Sequence, residues 1–194
     1  KDGRAGGEVG TFARCETTAR NELGVYCVNG DGMITHVEIG AMSLSGVLPT
    51  ILGHLTAVIE FDADSNQLRG TLPSELGRWT SVASVSLWNN RLSGTLPSQL
   101  GRWTSITNFR AHNNALSGQL PTEMATATTM RFFYFSRNDI GGTFPRELAA
   151  AWTDLRVLRL RNNRISGTLP SELAALTALT EVRVDGNRLV GRVP

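Results

Sequence analysis

Hydrophobic and polar positions recur along most of the chain with a period of about 24 residues. In each copy an asparagine follows apolar residues at eight, five and three positions earlier, and it precedes a glycine and an apolar–proline pair. The repeated asparagines are Asn66, Asn90, Asn114, Asn138, Asn163 and Asn187. A seventh copy surrounds Met42, and all seven prolines occupy one phase of the repeat. The chain therefore contains seven copies of one structural unit.

The repeat predicts a solenoid, because a unit of this length cannot bury its own apolar stripe and must share it with stacked neighbours. Each apolar-x-apolar pair is typical of a short strand that pairs in parallel with the next coil. We expect an α/β-type repeat solenoid, a curved array of seven coils over residues 34–194. Its concave side carries a parallel β-sheet, and its convex side is irregular or 3-10 helical.

The recurring asparagine is interpreted as a structural ladder inside the coils. A buried amide can cap backbone groups where the chain turns away from the sheet. Without partners it would cost roughly 1–3 kcal/mol, so its repetition predicts repeated hydrogen-bond partners. The glycine after it permits a tight or positive-φ backbone, and the proline ends the strand pairing where no N–H donor is needed.

Composition narrows the function classes. The 194 residues are 41% hydrophobic and 19% charged, which is typical of a globular chain. The net charge of +2 carries no argument for nucleic acid binding. The sequence has no apolar run long enough to span a membrane, and its first ten residues have no apolar core of a signal peptide.

The residues that alternate with the buried strand positions are expected to point outward on the concave face. They begin with carboxylates, continue with aromatic side chains and end with arginines. Exposed Trp, Tyr and Arg dominate binding hot spots, although a solvated strand face can carry similar residues without a partner. The predicted partner-binding residues are Glu38, Asp62, Asp64, Trp88, Arg110, His112, Phe132, Tyr134, Arg159, Arg161 and Arg183.

Catalysis, cofactors and metals are not indicated by the residues. No nucleophile elbow, phosphate loop or metal-ligand spacing occurs in the sequence. His36 and His112 lie three coils apart, roughly 14 Å, which is too far to ligate one ion. Glu60, Asp62 and Asp64 could suggest calcium, but a rigid sheet face does not wrap an ion with six or more oxygens. We therefore expect no enzyme activity, no cofactor and no metal site.

The segment Leu92 to Gly101, which reads LSGTLPSQLG, resembles the plant-type subclass of leucine-rich repeats. This subclass includes plant receptor ectodomains and inhibitors of pectin-degrading enzymes. The variant with Thr71 to Leu76 and tryptophans at 79 and 103 is also similar to surface antigens of trypanosomatid parasites. The resemblance covers residues 34–194 and implies protein recognition outside the cell or on its surface.

The same resemblance implies a cap at the N-terminal end of the array. Residues 1–33 are expected to form an N-terminal cap stapled by a Cys15–Cys27 disulfide, worth roughly 3 kcal/mol. The alternative is two free, buried thiols in a reducing compartment. After Pro194 no polar capping segment follows. A C-terminal cap is therefore expected to be absent, with the parent chain continuing or another subunit covering this end.

The functional expectation is a non-enzymatic module that binds a protein or peptide partner through its concave face. The alternative is an architectural or adhesion subunit of a larger extracellular or cell-surface assembly. A third reading is a secreted inhibitor of a polysaccharide-degrading enzyme. Nucleic acid is not an expected partner in any of them.

Overall fold

The structure is a computed structural model that describes residues 25–26 and 33–192. Cys15, Cys27, most of the expected N-terminal cap and Pro194 lie outside the described residues. Seven strands, one per coil, form a parallel sheet. In order from coil 1 to coil 7 they are His36–Glu38, Glu60–Asp62, Ser84–Ser86, Asn108–Arg110, Phe132–Tyr134, Val157–Arg159 and Glu181–Arg183. Val25–Tyr26 pairs antiparallel with the first of them. The predicted solenoid is confirmed.

The strands pair without any slip, so residues at the same repeat position lie side by side. His36 is opposite Glu60, and Ser84 is opposite Asn108. The central residue of each strand points into the core in coils 1 to 6, as Phe61 and Val85 show with relative exposures of 1% and 0%. The outward residues are therefore arranged in columns that run along the solenoid.

The return side of the coils consists of short helices that begin directly after the repeat prolines. Five are 3-10 helices, at Thr50–His54, Ser74–Arg78, Ser98–Arg102, Thr122–Thr126 and Ser171–Ala175. In the fifth coil the helix is α-helical, Arg146–Ala151, where only irregular or 3-10 structure was expected. That coil is one residue longer than the others, and the extra residue converts the turn into an α-helical one, with the Trp152 N–H donating to the Leu148 carbonyl at 3.0 Å.

A second set of strands, which the periodicity did not predict, follows each ladder position. Five of them form one sheet: Ser45–Val47, Gln67–Gly70, Arg91–Thr95, Ala115–Gly118 and Asp139–Ile140. Ser166–Gly167 and Arg188–Leu189 pair with each other. The repeat glycines in these segments have positive φ, for example 75° at Gly94, as the sequence suggested.

The ladder asparagines join successive coils through backbone groups. The Nδ2 of Asn138 donates to the Ala111 carbonyl of the preceding coil at 2.9 Å and to the Phe135 carbonyl of its own coil at 3.1 Å. Its Oδ1 accepts from the Leu116 N–H at 2.9 Å. The same three kinds of bond recur at the other five asparagines. Each amide thus binds groups in two coils at once.

The residue before each ladder position has a left-handed backbone. These residues are Ala41, Ser65, Asn89, Asn113, Arg137, Asn162 and Gly186, with φ between 52° and 70°. The turn that carries the chain out of the sheet requires this conformation, which costs least for glycine and asparagine. In the sequence, the Asn-Asn pairs at 89–90, 113–114 and 162–163 indicate this left-handed conformation.

The core is continuous across the coils and contains three tryptophans, Trp79, Trp103 and Trp152, with no exposed surface. Each indole N–H donates to a carbonyl of the preceding coil, as Trp103 does to Leu76 at 2.8 Å. Gly77 shows how closely the coils approach here, since a Cβ at that residue would lie 2.5 Å from the Gln99 carbonyl oxygen. These tryptophans therefore fill the space between neighbouring convex turns and bond across it.

Substitution of one ladder amide tests its contribution to stability. Asn138→Ala is expected to lower the free energy of unfolding by roughly 2 kcal/mol, because it leaves the Leu116 N–H without an acceptor and removes one of the two amide donors from each of the Ala111 and Phe135 carbonyls. Asn108→Ala, on the concave face, is the matched control and should change stability by less than about 0.5 kcal/mol. Urea unfolding followed by circular dichroism measures both. Equal effects of the two substitutions would contradict the ladder.

Candidate partner-binding face

The eleven residues that the sequence singled out lie on one face of the parallel sheet. They occupy the outward positions of the seven strands and the position two residues after each strand. The aromatic side chains among them are half-buried, while Arg110, Arg159, Arg161 and Arg183 are exposed. The strands therefore present this set together on a rigid surface.

A row of rings crosses the middle of the face. Trp88 and His112 stack with their centroids 5.3 Å apart and their planes at 2°. His112 meets Tyr134 edge-on at 6.5 Å, and Tyr134 stacks with Phe132 at 6.3 Å. Because these rings come from consecutive coils, the row follows the solenoid axis over about three coils.

Two arginines bracket Tyr134. The guanidinium carbon of Arg110 lies 5.6 Å from the tyrosine ring centroid, and that of Arg159 lies 5.0 Å from it. Cation–π contacts of this kind contribute about 0.5–1 kcal/mol each at exposed sites. Arg110 also donates from Nε to Asn108 Oδ1 at 3.2 Å. The centre of the face is thus already ordered in the free protein.

The arginines of the last two coils are paired with carboxylates of the same face. Glu181 accepts two hydrogen bonds from Arg159, at 3.0 and 2.8 Å, and one from Arg183 at 3.1 Å. The Arg161 Nε lies 2.7 Å from Asp185 Oδ2. The hydrogen bond from Arg159, followed by the charges of both arginines, holds the pKa of the Glu181 carboxyl below its usual range.

The sequence placed these arginines correctly but did not predict their neutralisation. Glu181 stands one coil beyond Arg159, and Asp185 occupies the column of Arg161 in the next coil. Register alone brings these pairs within reach, so inspection of adjacent columns could have identified them. As a result, the arginine-rich end of the face carries less free positive charge than its composition implies.

The carboxylates of coil 2, toward the opposite end of the face, lack such compensation within the described residues. Among the residues that the structure describes, Glu60, Asp62 and Asp64 form no ion pair with any arginine. Asp62 accepts a hydrogen bond from the Asp64 backbone N–H at 3.0 Å. Partial burial, the side-chain hydrogen bond with Asp64 and the charges of Asp64 and Glu60 raise the pKa of Asp62 to about 6.

His112 is held in its neutral form at the centre of the row. Burial first, and then the charges of Arg110, Arg159 and Arg137, lower the pKa of its imidazole below the usual value. Its Nδ1 is buried and makes no hydrogen bond. A neutral ring that stacks on Trp88 gives the row a flat, uncharged surface between the acidic and basic ends.

The described part of the chain shows neither a group of three or more His, Cys, Asp or Glu side chains placed to hold a metal ion, nor a helix with the length and apolarity needed to cross a bilayer.

Comparisons with known proteins relate the chain to leucine-rich-repeat ectodomains of plant receptors. The Leucine Rich Repeat family model matches residues 81–103 and 154–176. The ectodomain of the Arabidopsis thaliana receptor kinase GASSHO1/SCHENGEN3, in complex with CASPARIAN STRIP INTEGRITY FACTOR 2, is 32% identical over 83% of this chain, with a TM-score of 0.81. The plant peptide hormone receptor RGFR1, in complex with RGF2, is 30% identical over 78% of this chain, with a TM-score of 0.76.

A third structure, the ectodomain of the Arabidopsis receptor kinase HAESA with an N-terminally extended IDA peptide hormone ligand, is 27% identical over 78% of this chain. Its TM-score is 0.74. The chain spans only 19%, 24% and 26% of the solved GASSHO1/SCHENGEN3, RGFR1 and HAESA chains, respectively. No curated protein matches the sequence.

The raised pKa of Asp62 predicts a pH-dependent loss of stability. Its pKa is 3.8 in the unfolded chain and about 6 in the folded one, so its stabilising contribution is complete below about pH 4 and is lost as pH rises through 6. Asp62→Asn, which mimics the protonated form, should stabilise the protein by about 1 kcal/mol at pH 7.5 and not at pH 4. This value allows for solvent screening of a half-exposed group.

Urea unfolding at the two pH values measures the difference, and Asp154→Asn, at an exposed carboxylate, is the control. An Asp62→Asn protein that is less stable than the parent at pH 7.5 would contradict the assignment.

Proposed function

We propose that this chain, a leucine-rich-repeat protein of the plant type, is a non-enzymatic recognition module that binds a protein or peptide partner on its concave face. The observation that carries the proposal is the half-buried row of Trp88, His112 and Tyr134, bracketed by arginines on a rigid sheet. Aromatic and arginine side chains of this kind supply most of the binding energy in protein interfaces. The face is ordered before binding, which reduces the entropy lost when a partner docks.

Similarity to receptor ectodomains supports the same proposal. One of the solved structures above is a plant peptide hormone receptor in complex with RGF2, and another is a receptor ectodomain in complex with a peptide hormone ligand. The chain shares the fold of both. Because this chain spans only about a quarter of those receptors, the proposal does not extend to their particular ligands. By the same similarity, we propose an extracellular or cell-surface location.

Rigidity also argues for binding rather than for chemistry. The outward residues stand on strands that are fixed on both sides by neighbouring coils. The histidine of the row is neutral but stacks on Trp88, and no hydroxyl or thiol of the described residues is bonded to it. Such a surface can select a partner by shape and charge.

Site-specific photo-cross-linking tests which face binds, with substituted protein added to native material that contains the partner. A photoreactive residue in place of Ser84 or Ser136, on the concave face, should cross-link to a partner that mass spectrometry then identifies. The same residue in place of Ser105 or Thr128, on the convex turns, is the control. Cross-links from the convex positions alone would favour an architectural role and would overturn the proposal.

Affinity for the partner so identified gives a quantitative test. The double substitution Trp88→Ala and Tyr134→Ala should weaken binding by at least about tenfold, because it removes two aromatic anchors. Arg78→Ala with Arg102→Ala, on the exposed convex turns, should leave the affinity unchanged. Unfolding curves of both variants would show that the fold is retained. The reverse order of effects would place the binding site elsewhere.

A further inference from the structure

The concave face is electrically one-sided once its internal ion pairs are counted. Arg159, Arg161 and Arg183 are engaged by Glu181 and Asp185. An anionic partner at this end would have to compete with carboxylates that already stand at hydrogen-bond distance. The carboxylates of coil 2 have no such pairing within the described residues. Apart from Arg110, which lies over the Tyr134 ring, the unpaired charge on the described part of the face is therefore negative, although the whole chain carries a net charge of +2.

The half-buried side chain of Trp88 belongs to the coil next to these carboxylates. One face of its ring is covered by His112, which belongs to the next coil. Because the two rings stack along the solenoid axis, the other face is turned toward coil 2. Asp64 occupies the same column in that coil. The Ser65 N–H donates to the Trp88 carbonyl at 2.9 Å, which joins the two coils here. Asp64 and Trp88 therefore stand one strand spacing apart, roughly 4.8 Å.

Glycine at the neighbouring position keeps the carboxylates open on their other side. Gly40 stands in the same column in coil 1, where a Cβ would lie 3.1 Å from Asp64 Oδ1 and 3.4 Å from Asp62 Oδ1. Any larger side chain at this position would crowd both oxygens. The strip of surface from Gly40 to Trp88, called the notch below, thus brings the carboxylates of Asp62 and Asp64 beside a half-buried indole.

We propose that the partner of the concave face is an extended peptide segment with an arginine that docks in this notch, its guanidinium paired with Asp62 and Asp64 and stacked on Trp88. The inference rests on the recognition function proposed above. A guanidinium is planar, forms two parallel hydrogen bonds with carboxylates and stacks on aromatic faces, so it can contact the carboxylates and the indole at once. A lysine ammonium can pair with the carboxylates but cannot stack in the same way.

The raised pKa of Asp62 is consistent with a cationic occupant. Partial burial first, and then the side-chain hydrogen bond with Asp64 and the charges of Asp64 and Glu60, disfavour the ionised form of Asp62 in the free protein. An arriving guanidinium can replace the proton, so binding should strengthen as pH rises through about 6. The facing charges that enter this balance are Glu60, Asp62 and Asp64 in coil 2, and Arg110 two coils away. Glu38 and His36 in coil 1 also stand on the face.

The test is selection of a random heptapeptide library, displayed on phage, against the whole chain. We expect the enriched peptides to contain arginine, and to bind at least about tenfold more weakly to the triple variant Glu60→Gln, Asp62→Asn, Asp64→Asn. The matched control neutralises three convex carboxylates by Glu75→Gln, Glu123→Gln and Glu147→Gln and should retain full affinity. Because Trp79, Trp103 and Trp152 are fully buried, quenching of tryptophan fluorescence by acrylamide reports on Trp88, and a bound peptide should reduce it.

Three results would count against the inference, and they separate it from the proposed function. Enrichment of acidic or neutral peptides, whose binding is lost with Trp88→Ala and Tyr134→Ala but kept in the triple variant, would overturn the cationic partner and leave the concave face as the site. Binding that survives both sets of substitutions would overturn the inference and the proposed function together. Arginine peptides whose affinity does not rise between pH 5 and pH 7.5 would overturn the pairing with Asp62.

Discussion

The inter-coil bond of the ladder asparagine is the interaction on which the rest of the structure depends. One amide satisfies a backbone donor and a carbonyl of the preceding coil together with a carbonyl of its own coil. Without this amide the Leu116 N–H would be buried without a hydrogen-bond acceptor, at a cost of about 1–3 kcal/mol. Because the same bonds recur at every coil junction from Asn66 to Asn187, the coils cannot slide relative to one another. The uniform register of the strands follows from this constraint.

Uniform register in turn decides what the concave face can be. Residues at one repeat position stand about one strand spacing apart in a straight column, so neighbouring side chains in a column or between columns must interact. Trp88 stacks on His112 for this reason, and Arg161 meets Asp185 for the same reason. Function in such a protein depends on which residues occupy equivalent positions of consecutive coils, since the backbone hardly differs among them.

Much of this could be read from the sequence, because a period of 24 residues constrains every copy at once. All seven parallel strands begin six residues before the ladder position, where the alternation of apolar residues predicted them. The outward columns were also predicted. The α-helix Arg146–Ala151 was not, although the spacing of 25 residues between Asn138 and Asn163 marks the coil that contains it. The second sheet was not predicted because its strands carry no alternation of apolar and polar residues.

The charge balance of the face could not be read from composition, since it depends on side-chain geometry. Four arginines and six carboxylates occur among the outward residues from Glu38 to Asp185, yet their distribution into pairs is uneven. Glu181 binds two arginines at one end, whereas at the other end burial and the neighbouring Asp64 and Glu60 raise the pKa of Asp62. A carboxylate that is paired internally contributes little to the attraction of a partner, because its field is cancelled at short range. Within the described residues, the field of the face is therefore set largely by the carboxylates of coil 2. If the concave face binds a partner as proposed, these carboxylates orient the approaching partner first, and the aromatic row then supplies the contact area that retains it.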